Sequence, residues 1–496
     1  MTAPHLHPPA LPLGELYSRD ERLGNGVKDD QRVVSRSTSL GTLCVLDDFI
    51  IANIISSIVV NDGGVDARDD DTFSSQSSKC VCQRVSACVT LGRLACASHA
   101  LKAFADAPDV WRAMAINTGT PVRFASDGSW KLACLRAFGM KTTTRLANVL
   151  PRFASDFLFR PWLCATTPLK DEWMQVENVL DVDVDTMTRE LFEELEKKNV
   201  PVVIRRAASS WPATKKWRDE AYLAASLPDT VVGETPKKTS DFYAYVRHCH
   251  TDEAPLYLFD PLAFRRSAAL ADDYETPPFL PDDLFAYLGD EDSNVRPHYR
   301  WLIIGARNSG SFFHVDPNGT SAWNAVVVGE KRWVFYPPDG EPPPGVQPSE
   351  DGADVLTPIS LLEWFFNYYS DAHEDRRAVR RSRLRPLECT ARAGDVVFVP
   401  SGWWHSAVNT ADGPTVAVTQ NYCSAANVSK VLAVLDKGGR HVSGLTGDAL
   451  ATLGGRFRDA LHEHAPDVLL CDRTRKRPRD DVGSNSAEPF RFNFSL

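Results

Sequence analysis

Between residues 300 and 423 the chain repeats one pattern: a short run rich in Val, Ile, Phe and Trp, closed by Gly, Pro or Asp. The runs are RWLIIG (300–305), SAWNAVVVG (321–329), KRWVFYP (331–337), DVVFVP (395–400) and VAVTQNYC (416–423). An earlier run, PVVI (201–204), reads as a further buried strand. β-Branched and aromatic residues in runs this short, bounded by turn formers, favour pleated strands over helices. Several such strands in succession specify a sandwich or a barrel.

Helical signals flank this region. Leu46, Ile50, Ile54 and Ile58 fall four apart, with Ile51 and Ile55 beside them, after Asp47 and Asp48. That spacing predicts an amphipathic helix with a wide apolar face and an acidic start. A second helix is expected from about residue 85 to 104, with Leu91, Leu94 and Leu101 inward, and Trp111 anchors a third. Residues 186–198 (TMTRELFEELEKK) read as a helix capped by Thr188, and ISLLEWFFNYYS (359–370) as another inside an insertion. Val431, Leu432 and Leu435 mark a helix after the last strand.

The expected organisation is therefore a flexible arm (1–40), a helical domain (41–118), a linker (119–174), a β-rich domain (175–437) with an insertion (338–386), a helical extension (438–465) and a disordered basic tail (466–496). The fold class read from these runs is α+β, a sandwich or barrel preceded by a small all-α domain. The acidic stretch 61–79 reads as a loop.

The chain has 55 Lys and Arg against 65 Asp and Glu, a formal net charge of −10. That argues against a uniformly cationic binder of nucleic acid or membrane. No apolar run reaches the ~18 residues of a membrane span, and the first residues lack the charged and apolar regions of a secretory leader. Eleven cysteines with no CxxC pair read as reduced thiols. Cys80, Cys82, Cys88, Cys96 and His99 form one dense patch, read as buried small residues on a helix rather than a zinc cluster.

Three His-x-Asp triplets occur: His250/Asp252, His314/Asp316 and His373/Asp375. With 12 His and 65 acidic residues in 496, about 1.6 such pairs arise by chance, so the neighbours must decide. His250 and His373 sit in hydrophilic runs that read as solvated loops. His314 follows a strand and a Gly/Ser turn, and on extended backbone positions i and i+2 share a face. His314 and Asp316 then point together into a barrel, where an unpaired carboxylate is costly unless it binds a cation. His405, at the end of the strand DVVFVP and just after Gly402-Trp403-Trp404, completes two imidazoles and one carboxylate, the facial set that suits non-haem Fe(II) and leaves room for a bidentate cosubstrate and O2. Lys331 after the Gly329-Glu330 turn, and Thr419 and Asn421 on one face of a later strand, provide a cation and hydroxyl for a dicarboxylate.

The segments HVDPNGTSAWNAVVVGEKRW, AGDVVFVPSGWWHSAVN and VAVTQNY closely resemble the JmjC domain, which implies a double-stranded β-helix (a jelly-roll, cupin-like fold) of Fe(II)- and 2-oxoglutarate-dependent oxygenases. APLYLFD, DDLFAYLG and PHYRWLIIG resemble the subgroup first described as the phosphatidylserine receptor and later as an arginine demethylase and lysyl hydroxylase. The similarity covers about residues 175–437. It implies that His314, Asp316 and His405 bind Fe(II) and carry the catalysis. It also implies that Lys331 and Thr419 hold the distal carboxylate of 2-oxoglutarate, with Tyr257 and Asn324 as further contacts and Trp301 and Asn421 at pocket positions. The implied reaction consumes O2 and 2-oxoglutarate and hydroxylates lysine, or demethylates arginine or lysine, in a basic, histone-like or RNA-processing protein. Residues 41–118, with LCVLDDFIIANIISSI and VTLGRLACASHALKAFADAPDVWRAMA, resemble an F-box. That resemblance implies docking to a Skp1-type adaptor of a cullin ubiquitin ligase, with the JmjC domain as the reader of the recruited protein. The basic run RTRKRPR (473–479) makes the nucleus the expected compartment, with the cytoplasm alongside.

The acidity is unevenly spread. Residues 252–292 carry eleven Asp or Glu and two Arg, while six Arg cluster between Arg376 and Arg385. The expectation is that the acidic segment borders the active-site mouth and attracts a basic polypeptide.

Overall fold

The computed structural model describes residues 40–61, 87–117, 129–140, 155–232, 235–250, 252–289, 295–349, 355–373, 385–436 and 442–469. The expected arm up to residue 39, the acidic loop beyond Asn61, Cys80 and Cys82, most of the arginine cluster, and the tail from residue 470 with its basic run lie outside the described residues. The chain divides into two compact units, Met1–Pro168 with Asp241–Pro255, and Leu169–Ser240 with Leu256–Leu496.

The first unit is helical: α1 (Asp48–Asn61), α2 (residues 87–97), α3 (His99–Ala105), α4 (Pro108–Asn117), α5 (Trp130–Ala137) and α6 (Asp156–Thr166). Asp47 caps α1 by accepting the Ile50 amide at 2.8 Å. Serines at 98, 129 and 155 cap α3, α5 and α6. The apolar face of α1 is split. Ile51 and Ile55 are buried, whereas Ile50 and Ile54 are 41% and 44% exposed and Phe49 is 62% exposed. Trp111 is buried and donates its indole N–H to the Ala105 carbonyl at 2.8 Å. The stretch 119–174, expected as a linker, contributes α5 and α6 to this unit. Residues 241–255 return to it: Asp252 accepts the Trp130 indole N–H and the Tyr245 hydroxyl at 2.8 and 2.7 Å.

The second unit contains α7 (Arg189–Lys198), capped by Thr188, then α8 (Leu361–Asn367), α9 (Tyr369–His373), α10 (Val428–Asp436) and α11 (Leu453–His464). Two sheets form its centre. Their strands are β1 (Leu180–Asp183), β2 (Val202–Arg205), β3 (Tyr257–Asp260), β4 (Arg300–Gly305), β5 (Gly310–His314), β6 (Ser321–Val328), β7 (Glu330–Tyr336), β8 (Leu387–Arg392), β9 (Val396–Val399), β10 (Trp404–Asn409) and β11 (Thr415–Tyr422). The larger sheet runs β1-β2-β9-β6-β11-β4-β3 and the smaller β8-β7-β10-β5. Apart from the parallel β1–β2 pair, neighbours are antiparallel. This is the jelly-roll that the JmjC resemblance implies, and one form of the sandwich or barrel expected from the run of short strands.

The interior is set by alternation. Trp333 and Phe335 of β7, Ala407 of β10, Ala322 and Val326 of β6 and Val397 and Val399 of β9 form one buried cluster. Each large buried ring there stabilises the fold by roughly 1.5–3 kcal/mol. Residues of the same parity on these strands face the same interior, which places Lys331, His405, Asn409 and Asn324 inward. The opposite parity of β7 is also buried. Arg332 ion-pairs with Glu388 of β8 at 2.6 Å, and Glu388 is reached in turn by His373 at 2.6 Å and Tyr369 at 3.2 Å. This polar knot ties α9, part of the insertion, to the smaller sheet. A separate core joins Phe285 to Leu432, Leu435, Phe457 and Leu461, seating the C-terminal helices on the unit.

Gly310 lies where β5 meets β10, and a Cβ there would come 1.9 Å from the Ala407 carbonyl oxygen. Gly310→Ala should therefore destabilise the protein by roughly 1–3 kcal/mol, seen as a lower unfolding temperature, while Gly413→Ala, which meets nothing within 4 Å, leaves it in place.

Candidate metal centre and cosubstrate pocket

His314 ends β5, the edge strand of the smaller sheet, and lies directly across from His405 on β10. Directly opposed residues bring their side chains close, and the two imidazole centroids are 4.1 Å apart. His314 Nδ1 lies 2.7 Å from the Phe312 carbonyl and His405 Nδ1 lies 3.1 Å from the Trp403 carbonyl. Each ring donates its proton to backbone, so each Nε2 is left as a lone-pair donor. Burial pushes both imidazoles down, to about 4, so both are neutral near pH 7.

Asp316 is the third member. It sits just beyond β5, at the start of the Pro317–Gly319 turn rather than on a strand. The turn, not strand parity, aims it inward. Burial raises its carboxyl, opposed by His314 and by a hydrogen bond from Asn421. Its Oδ2 is buried without a hydrogen-bond partner and stands 4.0 Å from His405 Nε2. One ligand atom from each of His314, Asp316 and His405 falls within 4.8 Å of the others, and among the described residues they are the one such group found. An orphaned carboxylate oxygen beside two neutral imidazoles is the donor set a divalent cation requires. The absence of a fourth protein ligand in this group leaves coordination positions open.

Deeper in the barrel, Lys331 is 1% exposed. Its Nζ donates to the Tyr257 hydroxyl at 2.6 Å and to Asn409 Oδ1 at 3.0 Å. No carboxylate is among these contacts, and burial pushes the ammonium down to about 7. Trp301, Thr419 and Asn324 lie abreast on β4, β11 and β6. Thr419 donates to the Trp323 carbonyl at 3.0 Å, and Asn324 Oδ1 is buried and unpartnered. Asn421 donates to Thr320 Oγ1 at 3.0 Å. The fold thus brings His314, Asp316 and His405 together, sets Asn421 on Asp316 and Tyr257 on Lys331, and aligns Trp301, Thr419 and Asn324 across three strands. Sequence reading missed Asn409, whose signal was its inward parity with His405 two turns of the pleat away, and Ser309, which accepts from Asn409 Nδ2 at 3.0 Å.

Three expectations are corrected. His405 does not end the DVVFVP strand; a turn intervenes and it stands on β10 in the other sheet. The other two His-x-Asp segments are not solvated loops: Asp252 is buried, its carboxyl lifted to about 6 by burial, and His373 pairs with Glu388. The acidic segment is largely used internally. Asp260 pairs with Arg266, Asp273 with Lys216 and Asp283 with Arg296, and Asp252 and Glu253 belong to the helical unit. Asp272, Glu275 and Asp282 remain exposed.

A double-stranded β-helix holding two imidazoles and one carboxylate at one end of its interior, with a buried lysine farther in, defines a cupin-type mononuclear metal enzyme. Comparison with known proteins agrees. A cupin-like domain model matches residues 188–427. Arginine-specific demethylase JMJ22 of Arabidopsis thaliana is 34% identical over 455 residues, 90% of this chain and 81% of the relative. The bifunctional arginine demethylase and lysyl-hydroxylase psr-1 of Caenorhabditis elegans is 34% identical over 266 residues, 51% of this chain and 64% of the relative. The 2-oxoglutarate and iron-dependent oxygenase JMJD4 of Danio rerio is 29% identical over 130 residues, 26% and 28% of the two chains. The chain belongs to the JmjC family of iron- and 2-oxoglutarate-dependent oxygenases.

Replacing His405 by Ala should lower affinity for Fe(II), or for Co(II) as a coloured probe, by at least ~100-fold, since a ligand is lost outright. The visible Co(II) spectrum reads the outcome.

Proposed function

We propose that this chain is a protein oxygenase that hydroxylates lysine, or demethylates arginine or lysine, in basic polypeptides. In this reading His314, Asp316 and His405 hold Fe(II), and Lys331, with Tyr257, Thr419, Asn324, Trp301 and Asn421 around it, receives 2-oxoglutarate. The single observation that carries it is Lys331: a buried ammonium with no counter-ion among the described residues, facing the same interior as His405. A dicarboxylate gripped there by one end presents its other end to the metal centre. The names of the relatives, which include arginine demethylases and a lysyl-hydroxylase, support the substrate class.

Iron and 2-oxoglutarate, when bound, supply the oxidising power that places oxygen into a substrate C–H bond. The residues of this chain position the reactants. Tyr257 and Asn409 fix the lysine ammonium by accepting its hydrogen bonds. Asn421 holds the Asp316 carboxylate. The apolar cluster around Trp333 and Phe335 keeps water from the interior. On an N-methyl group the hydroxylated product sheds formaldehyde; on a side-chain carbon it persists.

A second reading concerns the helical unit. Leu43, Val45, Phe49, Ile50 and Ile54 are all exposed, an apolar row on a segment that resembles an F-box. It supports docking to a Skp1-type adaptor, and a pull-down with that adaptor using Phe49→Asp as the control tests it. The basic run 473–479 supports a nuclear location.

Incubating full-length protein with Fe(II), 2-oxoglutarate and methylated basic peptides should give mass gains of about 16 Da or losses of about 14 Da, both abolished in His314→Ala; no shift in any peptide would remove the proposed activity. Lys331 adds a pH signature. Its charged form binds the carboxylate, and its free ammonium titrates near 7. Cosubstrate binding above that pH must therefore take up a proton, and affinity should fall by up to ~10-fold per pH unit. Calorimetry in buffers of different ionisation enthalpy measures the uptake; pH-independent affinity would disqualify Lys331 as the receptor.

A further inference from the structure

A narrow cleft borders the metal centre. Asn318, Thr320, Asn421 and Ser443 line it together with the rings of Tyr299 and Trp301. Asn421 connects it to the metal ligands, since the same side chain hydrogen-bonds Asp316 and donates to Thr320. Both wall hydroxyls of Thr320 and Ser443 are hydrogen-bonded. Thr320 Oγ1 donates to the Pro317 carbonyl at 2.7 Å. Ser443 Oγ is 3.2 Å from His298 Nδ1. Asn318 differs: it is 7% exposed and its Oδ1 has no hydrogen-bond partner.

The backbone at Asn318 is also unusual. Its φ is 59°, left-handed, and Gly319 follows at 69°. The turn is locked in place. Ser401 Oγ donates to the Gly319 carbonyl at 2.7 Å, and a Cβ on Gly319 would come 3.2 Å from the Lys430 backbone. A left-handed residue and an unsatisfied buried oxygen both cost stability. Glycine would carry the same backbone without either cost. An amide held here, two residues from Asp316, is therefore an acceptor kept for something that enters the cleft.

The cleft wall contains no Lys, Arg, Asp or Glu, so an entering group meets rings, the hydrogen-bonded side chains of Thr320, Asn421 and Ser443, and the open oxygen of Asn318. That combination suits a flat donor. Arg296 shows the affinity locally, its guanidinium centred 3.6 Å over the Tyr299 ring. A guanidinium can stack and point one N–H at a single acceptor, whereas an ammonium with three divergent donors is poorly served by one oxygen.

We infer that Asn318 is a specificity-determining residue: its amide oxygen accepts an N–H from the guanidinium of an arginine side chain delivered to the metal centre between the cleft's aromatic rings. The inference rests on the protein-oxygenase reading and narrows it, favouring arginine over lysine.

The test uses full-length protein with Fe(II) and 2-oxoglutarate under anaerobic conditions, so that binding is read without turnover. The probes are one peptide carrying Nω-methylarginine, N-methyllysine or norleucine at the same position. Wild type should bind the methylarginine peptide tightest. Asn318→Gly, which keeps the left-handed backbone, should weaken that peptide by about tenfold or more and leave the norleucine peptide unchanged, while Asn318→Asp keeps or strengthens the preference. Thermal unfolding of the same samples confirms that the fold is retained. Equal affinity of wild type and Asn318→Gly for the methylarginine peptide would overturn the inference, as would a wild type that prefers methyllysine or fails to distinguish norleucine. Admitting oxygen then separates the two ideas. Asn318-dependent binding without conversion keeps this assignment and sinks the oxygenase reading of the peptide; conversion with equal KM in both proteins does the reverse.

Discussion

The site depends on one cross-strand pairing, that of His314 with His405. Because side chains alternate along a strand, a slip of one residue between β5 and β10 would turn one imidazole out of the barrel. The register is pinned by Gly310, whose hydrogen alone fits against the Ala407 carbonyl, and by an irregularity between His405 and Ala407. Backbone carbonyls two residues before each histidine then fix the ring orientation. Asp316 needs only the following turn to join them.

Around this pair the barrel interior holds groups that folding alone would not choose. Among the described residues, a lysine without a counter-ion, a carboxylate oxygen and an amide oxygen without donors, and two neutral imidazoles are enclosed by Trp, Phe and Val. Each is costly to desolvate. A metal ion and a dicarboxylate relieve those costs together, so the same desolvation that weakens the empty fold strengthens the hold on both ligands.

The sequence disclosed the parts of this arrangement that are apolar and missed those that are polar for a reason. β4, β6, β7, β9 and β11 announce themselves through Val, Ile and Trp. β5 begins Gly-Ser and carries adjacent phenylalanines, so it resembles a turn. β10 (WHSAVN) presents His405 and Asn409 inward, which dilutes its apolar signal. β8 carries Glu388 on a face that would ordinarily meet water, and only the packing of α9 explains its burial. Asp316 was expected to face inward by strand parity, but the strand stops at His314 and the Pro317–Gly319 turn sets its aim. The acidity of residues 252–292 was visible, but it is absorbed by Lys216 and Arg296 from outside the segment as well as by Arg266 within it.

The return of residues 241–255 to the helical unit has a consequence for biosynthesis. A chain emerging from the ribosome releases the first 168 residues well before Asp252 and Tyr245 are made. Until then the Trp130 indole lacks its carboxylate acceptor, and the unit is unfinished while the first strands of the β-helix are already leaving the tunnel. The helical unit is thus first in sequence but not first to be completed. Part of it is encoded within the stretch of chain that builds the second unit.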